Sequence, residues 1–503
     1  MLQLLLGGSG SGKTTLLYQR IRARAEKGEK SILLVPEQFT SSTEGRIYRE
    51  LGDALSGMVE SFSFTSLAEK ILSTEGGAAV QTLSDAGRAV LGRRALEELQ
   101  DNVHYYHRHR RSAAFCQMAA QTIDELKSAG LSGRQLAQLA GACGAESGKL
   151  SELALIFQGY ETLLARSGMD PSDRLELAGA RLEEALARHS LPEFLRDRAV
   201  FIDEFDTFNA PKKRLLGALL AALPSVTVAL CDDGAPLLPG DLSLFSGAKQ
   251  VAAQLRQLAR KNGAEVAVPQ LLRKDLRHRN APGLAAVAEL LETGSCTADA
   301  PAGEVRLFAA PSREEEARAA AGAIRRLMRQ GVRCGKIAVV CRDIAKYRAA
   351  VRYEFRMAEI PLYCDEPTTP EFSAPATAVR ALLEIARGAD LTENLTTLAK
   401  TGLCALSEEQ VCALENYAYT WAPTAAAWRE KFERSPKGFG EQELTEEDLR
   451  NRERAEHARA LLVGAVDAFR AKVRGVNAEA ISRAVYFCLK TLGAEEQQAA
   501  QVK

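Results

Sequence analysis

The residues of this chain with the clearest chemical potential form a glycine-rich loop near the N-terminus. The run Gly7-Gly8-Ser9-Gly10-Ser11-Gly12-Lys13-Thr14 fits the pattern G-x-x-x-x-G-K-[ST] at every fixed position. Glycines let successive backbone N–H groups point toward a phosphate, and a helix that starts there adds the positive end of its dipole. We therefore expect residues 7–14 and Thr15 to bind ATP, with Lys13 on the terminal phosphates and Thr14 on Mg²⁺. The alternative is a glycine-rich turn that only caps a helix.

A second group of residues supplies the carboxylates that a phosphate loop needs. The apolar run Val200–Ile202 ends in two adjacent acids, Asp203 and Glu204. In such an arrangement Asp203 would hold Mg²⁺ through water, and Glu204 would polarise the water that attacks the phosphate. An acidic strand end that only faces solvent is the alternative. Paired with the loop, the two acids favour a catalytic site made of Lys13, Asp203 and Glu204.

The elements around both motifs predict an α/β fold. Short apolar runs typical of buried parallel strands occur at Leu2–Leu6, Ser31–Val35, Met58–Ser63, Ala199–Ile202 and Ser225–Leu230. Helix Thr14–Ala25 connects the first two of these runs, as expected for an open parallel sheet. From about Thr82 to Arg196 helical periodicity replaces the strand pattern. A helical insertion therefore explains the long separation between the loop and the acidic pair.

A polar segment at Thr293–Gly303 is typical of a linker, and a second α/β pattern follows it. Strands are predicted at Val305–Ala309 and Lys336–Cys341, and helices at Arg313–Gln330 and Ala345–Met357. From about Glu371 onward the pattern is helical again.

The composition restricts the class of protein. With 503 residues the chain is too long for one hydrophobic core. Its 65 basic residues equal its 65 acidic residues, so binding to a nucleic acid would require a local patch. The ten cysteines include no C-x-x-C pair, a pattern typical of reduced thiols in a cytoplasmic protein. No apolar run approaches the roughly 20 residues that span a bilayer, so we expect no membrane segment.

One candidate for a local nucleic-acid patch is the segment His104–Arg111, with the sequence HYYHRHRR. Aromatic residues can stack on bases, and the basic residues between them can neutralise phosphates of a DNA strand. A solvated basic surface loop has the same composition, so the sequence leaves both interpretations open.

Several segments resemble known helicases. Ser63–Leu72 is similar to the T-F-H-S-L-x-x-R-I-L motif of superfamily 1 helicases of the UvrD/RecB type, and Asp203–Thr207 is similar to their D-E-F-Q-D-T motif with one residue fewer. Glu314–Tyr363 resembles the start of their second motor domain. More specific similarity to the B subunits of AddAB helicase–nucleases extends from residue 1 to at least Trp421 and is carried by LVPEQFTSSTE (Leu34–Glu44), ELKSAGLS (Glu125–Ser132), FIDEFDTF (Phe201–Phe208) and TGLCALSEEQVCALENYAYTW (Thr401–Trp421).

This resemblance implies a fold and a domain order. The fold would be α/β, with P-loop NTPase (RecA-like) domains of the superfamily 1 helicase type and large helical insertions. Residues 1–81 and 197–292 would form motor-like domain 1A, and residues 82–196 its helical insertion 1B. Residues 303–370 would begin motor-like domain 2A, and residues 371–503 would form a helical 2B-like region.

The resemblance also implies a function. The chain would be the ATP- and DNA-binding component of a heterodimeric helicase–nuclease that processes double-strand DNA breaks for homologous recombination. Its cofactors would be ATP and Mg²⁺. Its partners would be the A subunit of the helicase–nuclease together with single- and double-stranded DNA. The alternative is a non-hydrolysing, DNA-scanning protein in which bound nucleotide only clamps the fold.

Departures from the motor pattern limit what is expected of this chain. The glutamine that senses the terminal phosphate in active helicases has no counterpart, and Leu271–Gly283 offers arginines but no match to the N-Y-R-S motif. The late motor motifs and the nuclease domain with its 4Fe–4S cluster are absent from the 503 residues. The cluster would therefore be bound outside this chain, and DNA cleavage is not expected from it.

Overall fold

The computed structural model describes residues 1–77, 79, 81–109, 112–144, 147–295, 304–364, 372–440 and 443–501. The chain divides into two compact units, Met1–Phe308 and Ala309–Lys503. Most of the predicted linker Thr293–Gly303, the start of the predicted domain 2A at residue 303 and the boundary at Glu371 lie outside the described residues.

The first unit contains a parallel sheet of six strands in the order β3-β2-β4-β5-β1-β6. Its strands are β1 Leu2–Gly7, β2 Ser31–Leu34, β3 Val59–Phe62, β4 Ala199–Ile202, β5 Ser225–Cys231 and β6 Gln270–Leu272. Consecutive strands β1 and β2 are separated in the sheet by β4 and β5. The carboxyl ends of β1 and β4 therefore share one edge near a point where the strand order reverses, where open α/β sheets bind ligands.

Both faces of this sheet are buried, which explains the continuous apolar runs in its strands. Alternate side chains point to opposite faces, so Leu4 and Leu6 belong to one core cluster and Leu5 and Leu33 to another. The helices of this unit are α1 Lys13–Ala25, α2 Thr40–Leu51, α3 Asp53–Ser56, α4 Phe64–Glu75, α5 Asp85–Glu98, α6 Ala113–Ser128, α7 Gly133–Ala140, α8 Ser147–Ser167, α9 Pro171–Ala187, α10 Ala210–Ala222, α11 Ser246–Lys261 and α12 Pro282–Thr293. Helices α1 and α2 cover one face, while α4, α9, α10 and α11 cover the other.

Helices α5 to α8 enclose a core of their own between β3 and β4 in the sequence. Leu96, Phe157 and Tyr160 lie at its centre, with at most 1% of each side chain exposed. Helix α9 packs against α4 and α10, which lie on the sheet. The helical segment is thus attached to the sheet layer mainly through α9.

The second unit is helical in its described residues. Its helices are α13 Arg313–Arg329, α14 Ile344–Met357, α15 Ala374–Ala386, α16 Leu391–Lys400, α17 Glu408–Trp421, α18 Glu446–Lys472, α19 Ala478–Thr491 and α20 Ala494–Gln501. Helices α15 to α19 surround a core that includes Trp428 and Phe469, while α13 and α14 pack around Ile324 and Phe355.

The α/β prediction is confirmed by this sheet, and the more specific assignment to P-loop, RecA-like helicase domains stays a prediction. The four-part domain division also stays a prediction. The strands predicted at Val305–Ala309 and Lys336–Cys341 are wrong, because both segments are described and neither pairs with a neighbour. The short strand β6 was not predicted from the sequence.

Candidate nucleotide-binding site

The glycine-rich loop joins the end of β1 to the start of α1. Gly10 and Gly12 have φ angles of 79° and 89°, a left-handed conformation that side chains with a Cβ rarely adopt. Helix α1 begins at Lys13, and no side chain caps its first turn. The first N–H groups of an uncapped helix lack partners within the helix, so they are available to an anion.

Close packing leaves no room for larger side chains at two of the glycines. A Cβ on Gly7 would lie 2.4 Å from Ser11 Oγ and 2.6 Å from the Leu272 carbonyl oxygen. A Cβ on Gly10 would lie 2.6 Å from the Cβ of Arg277. The loop is thus enclosed by β6 and by the segment that follows it.

The Lys13 ammonium group is folded over the loop. Its Nζ donates hydrogen bonds to the carbonyl oxygens of Gly7 at 2.7 Å and Gly8 at 2.8 Å. Burial lowers the pKa of Lys13, and the charges of Asp203 and Glu292 oppose that effect. The positive charge is therefore placed where phosphates bound by the loop would lie.

Asp203 follows the last residue of β4 and is almost completely buried, with 6% of its surface exposed. Its N–H donates to the Leu34 carbonyl at 3.1 Å, which extends the pairing with β2 by one residue. Burial raises the pKa of Asp203, while hydrogen bonds from the Thr14 hydroxyl and the Glu204 N–H oppose the rise. Thr14 and Asp203, distant in sequence, are thus hydrogen-bonded neighbours.

Glu204 has an unusual backbone conformation, with φ of 65° in a residue other than glycine. Such strain is often found at functional sites, because the surrounding structure must hold it. Desolvation and the charge of Asp203 raise the pKa of Glu204, and Arg46 opposes them. The carboxyl group of Glu204 is exposed at the same cavity as Lys13 and Thr14.

A cavity of about 530 Å³ lies over the loop, a volume within the usual range for small-molecule sites. Its lining includes most of the predicted site residues, namely Ser9, Gly10, Gly12, Lys13, Thr14, Thr15, Asp203 and Glu204. Gly7, Gly8 and Ser11 lie behind this surface. Ser11 is buried, and its hydroxyl has no hydrogen-bond partner among the described residues.

A larger cavity, of about 740 Å³, lies in the second unit between α14 and residues 334–341 and 360–364. Its lining is mainly apolar, including Ile337, Val339 and Phe355. It brings together no loop of backbone donors and no acidic pair among the described residues. The smaller cavity in the first unit is therefore the better candidate for polar chemistry.

Two arginines of the first cavity were not predicted as site residues. Arg277 donates to Ser9 Oγ at 3.2 Å, and the N–H of its neighbour Leu276 donates to the Gly10 carbonyl at 3.0 Å. Arg46 reaches the cavity from α2. Arg277 belongs to the arginine-containing stretch noted in the sequence, whereas Arg46 lies in no recognised motif of phosphate binding.

The basic aromatic loop predicted as a DNA contact is held by a single acid. Glu152 accepts hydrogen bonds from the backbone N–H groups of His104 at 2.8 Å, Tyr105 at 2.7 Å and Tyr106 at 3.2 Å. Tyr105 is 61% exposed. Arg110 and Arg111 lie outside the described residues. The loop thus presents an aromatic ring and basic residues to solvent, and its binding to DNA stays a prediction.

The remaining features concern metals, thiols and membranes. Among the described residues, no group of three or more His, Cys, Asp and Glu side chains is arranged to hold a metal ion. The nine cysteines in the described ranges are free thiols. No helix in the described part of the chain is both long and apolar enough to cross a bilayer.

Comparison with known proteins gives consistent results. A family model described as "ADDB, N-terminal" matches residues 4–288. The ATP-dependent helicase/deoxyribonuclease B subunits are 33% identical in Desulforudis audaxviator, over 85% of this chain and 37% of that protein, and 31% identical in Symbiobacterium thermophilum, over 86% and 38%. The protein of the same name in Clostridium perfringens is 27% identical over 94% of this chain and 42% of its own length. The chain thus spans less than half the length of these relatives.

Proposed function

Because the chain belongs to the family of the ADDB N-terminal domain, we propose that it is the ATP-binding, DNA-binding part of the B subunit of an ATP-dependent helicase–deoxyribonuclease. The single observation that carries the nucleotide part is the meeting of Lys13, Thr14 and Asp203 at one cavity over an uncapped helix start. These groups have the charge and hydrogen-bonding capacity that a triphosphate and its cation require.

In this proposal the loop binds the phosphates of ATP. Phosphate oxygens accept hydrogen bonds from the free N–H groups at the start of α1 and replace the Gly7 and Gly8 carbonyls as partners of Lys13. Arg277, attached to Ser9, adds a second positive charge beside the loop. The strong enclosure of the glycines fixes these donors before nucleotide arrives, so little reorganisation is needed.

The hydrogen-bonded pair of Thr14 and Asp203 has the hard oxygen donors that Mg²⁺ prefers. These two residues would hold the ion, Asp203 through water, and the bound ion would offset negative charge on the phosphates. The Asp203 carboxylate is buried and largely removed from bulk water, so a cation would also relieve the cost of burying its charge.

Glu204 is the proposed base for hydrolysis. Water would attack the terminal phosphorus, the bond to the oxygen shared with the second phosphate would break, and the proton of the water would pass to the Glu204 carboxylate. ADP and inorganic phosphate would leave. A raised pKa suits this role, because a carboxylate with a pKa nearer to neutrality accepts a proton more readily.

The wider role follows from the names of the relatives. Their designation as B subunits supports a second polypeptide, which we propose is the A subunit of a heterodimer, and "helicase/deoxyribonuclease" supports DNA as substrate. We propose a cytoplasmic complex that processes double-strand breaks for homologous recombination. Nuclease chemistry and the 4Fe–4S cluster are assigned to residues outside this chain.

Calorimetry of the whole chain with ATP and Mg²⁺ tests the nucleotide part. We expect binding that Lys13→Ala weakens by at least about 100-fold, since it removes a charged hydrogen-bond donor. Lys27→Ala is a matched control, because Lys27 is exposed in the helix-end turn outside the cavity. Absence of ATP binding by the unmodified chain would overturn the proposal.

Turnover is tested with single-stranded DNA and with an A subunit whose own nucleotide site is disabled. We expect DNA-stimulated hydrolysis, and Glu204→Gln should abolish it while ATP binding persists. ATP binding without turnover under all these conditions would instead establish the non-hydrolysing alternative, in which nucleotide only clamps the fold.

A further inference from the structure

The nucleotide cavity contains a guanidinium group that no phosphate-binding motif of the sequence predicts. Arg46 lies in the middle of α2, the helix that follows β2, and lines the cavity together with Lys13, Asp203 and Glu204. Its neighbour Ile47 is buried in the core under α2, so the helix position is fixed. Arg46 is therefore presented from the side of the cavity where the two acids lie.

Tyr18 of α1 holds the head of Arg46 in place. The guanidinium carbon lies 5.0 Å from the centroid of the Tyr18 ring, within the range of a cation–π interaction. Burial raises the pKa of Tyr18 to about 12, so the phenol stays neutral at physiological pH. Because stacking uses the face of the guanidinium, its N–H edge is left for another partner.

The charge around Arg46 identifies what that partner would be. Arg46 is close enough to Asp203 and Glu204 to lower the pKa of both, yet in the part of the chain that the structure describes it forms no ion pair. A guanidinium beside two acids, with its donors free and directed to a cavity, suits an anion that enters with a cation. A phosphate with its Mg²⁺ fits this description.

We propose that Arg46 binds the terminal phosphate of ATP and makes the site distinguish ATP from ADP. This inference rests on the proposed function. In this role Arg46 supplies, from α2, the recognition of the terminal phosphate for which the sequence offers no glutamine. Arg277 lies at Ser9, on the loop side of the cavity, so the two arginines would contact the nucleotide from different sides.

The test compares Arg46→Ala with the unmodified chain in calorimetric titrations of ATP and ADP, each with Mg²⁺. We expect ATP binding to weaken by roughly tenfold or more and ADP binding to stay unchanged, because a charged hydrogen bond to the terminal phosphate is lost. Arg46→Lys should recover part of the loss, since it keeps the charge but not the planar fork.

Arg49→Ala is the matched control, because Arg49 lies on the same helix, is exposed and bonds only the Gly45 carbonyl among the described residues. Equal weakening of ATP and ADP, or no weakening of either, would overturn the role of Arg46. If Lys13→Ala abolishes binding while Arg46→Ala leaves both affinities intact, this inference alone fails. If the unmodified chain binds neither nucleotide, the proposed function fails with it.

Discussion

Leu4 in the first unit is completely buried, whereas Val340 in the second unit is 91% exposed, although each occupies the middle of a short apolar run before a helix. The difference lies in the neighbours of each run. Strand β1 pairs with β5 on one side and β6 on the other, while residues 337–341 pair with no strand in the described part of the chain. An apolar run becomes a strand only where other strands accept and donate its backbone hydrogen bonds.

The two regions also differ in what they can bind. The first places free N–H groups, a lysine and two acids at one edge of its sheet. The second forms a larger cavity with an apolar lining. Convergence of backbone donors requires the ends of several aligned strands, so the paired sheet is a precondition of the polar site.

The largest expected effect contrasts the two runs directly. Leu4→Ala should destabilise the first unit by about 3 kcal/mol, since it leaves a cavity between buried strands. Val340→Ala should change stability by less than about 0.5 kcal/mol, because its side chain is already in solvent. Urea denaturation of the whole chain measures both. Similar losses for the two variants would mean that residues 337–341 are packed as tightly as β1.

A smaller effect compares two thiols, one in each cavity. Cys231 lies beside Lys13 in the nucleotide cavity, and Cys341 lines the apolar cavity. With ATP at ten times its dissociation constant, alkylation of Cys231 should slow by roughly tenfold, because only the nucleotide-free fraction reacts. Mass spectrometry of the alkylated peptides should show an unchanged rate for Cys341. Protection of both thiols, or of neither, would contradict the comparison.

The smallest expected effect concerns the buried acid. The folded chain raises the pKa of Asp203, so the protonated form favours folding, and that contribution is lost as pH rises through the folded pKa. Asp203→Asn removes the buried charge and should increase stability near pH 7 by roughly 1 kcal/mol, with no gain below the pKa of the unfolded carboxyl. Thermal unfolding at several pH values measures this gain.

The same substitution should weaken the Mg²⁺ dependence of ATP binding, because Asp203 is a proposed holder of the ion. A variant that is less stable at neutral pH would show that the hydrogen bonds from Thr14 and Glu204 outweigh the burial of the charge.

The sequence by itself determined the loop, the strands that pack on both faces and most helices. Glycines at positive φ, a lysine at a helix start and continuous apolar runs depend on local backbone geometry and on burial, which residue types record directly. Strand β6 escaped prediction because it has three residues and begins with the polar Gln270.

Only the tertiary structure decided which distant residues meet. Arg46 and Arg277 enter the cavity from a helix and a loop far apart in the chain, and nothing in their neighbouring residues marks that position. The failed strands near Val305 and Val340 have the same physical explanation. Pairing and convergence are properties of the neighbours that folding supplies, and a local pattern does not contain them.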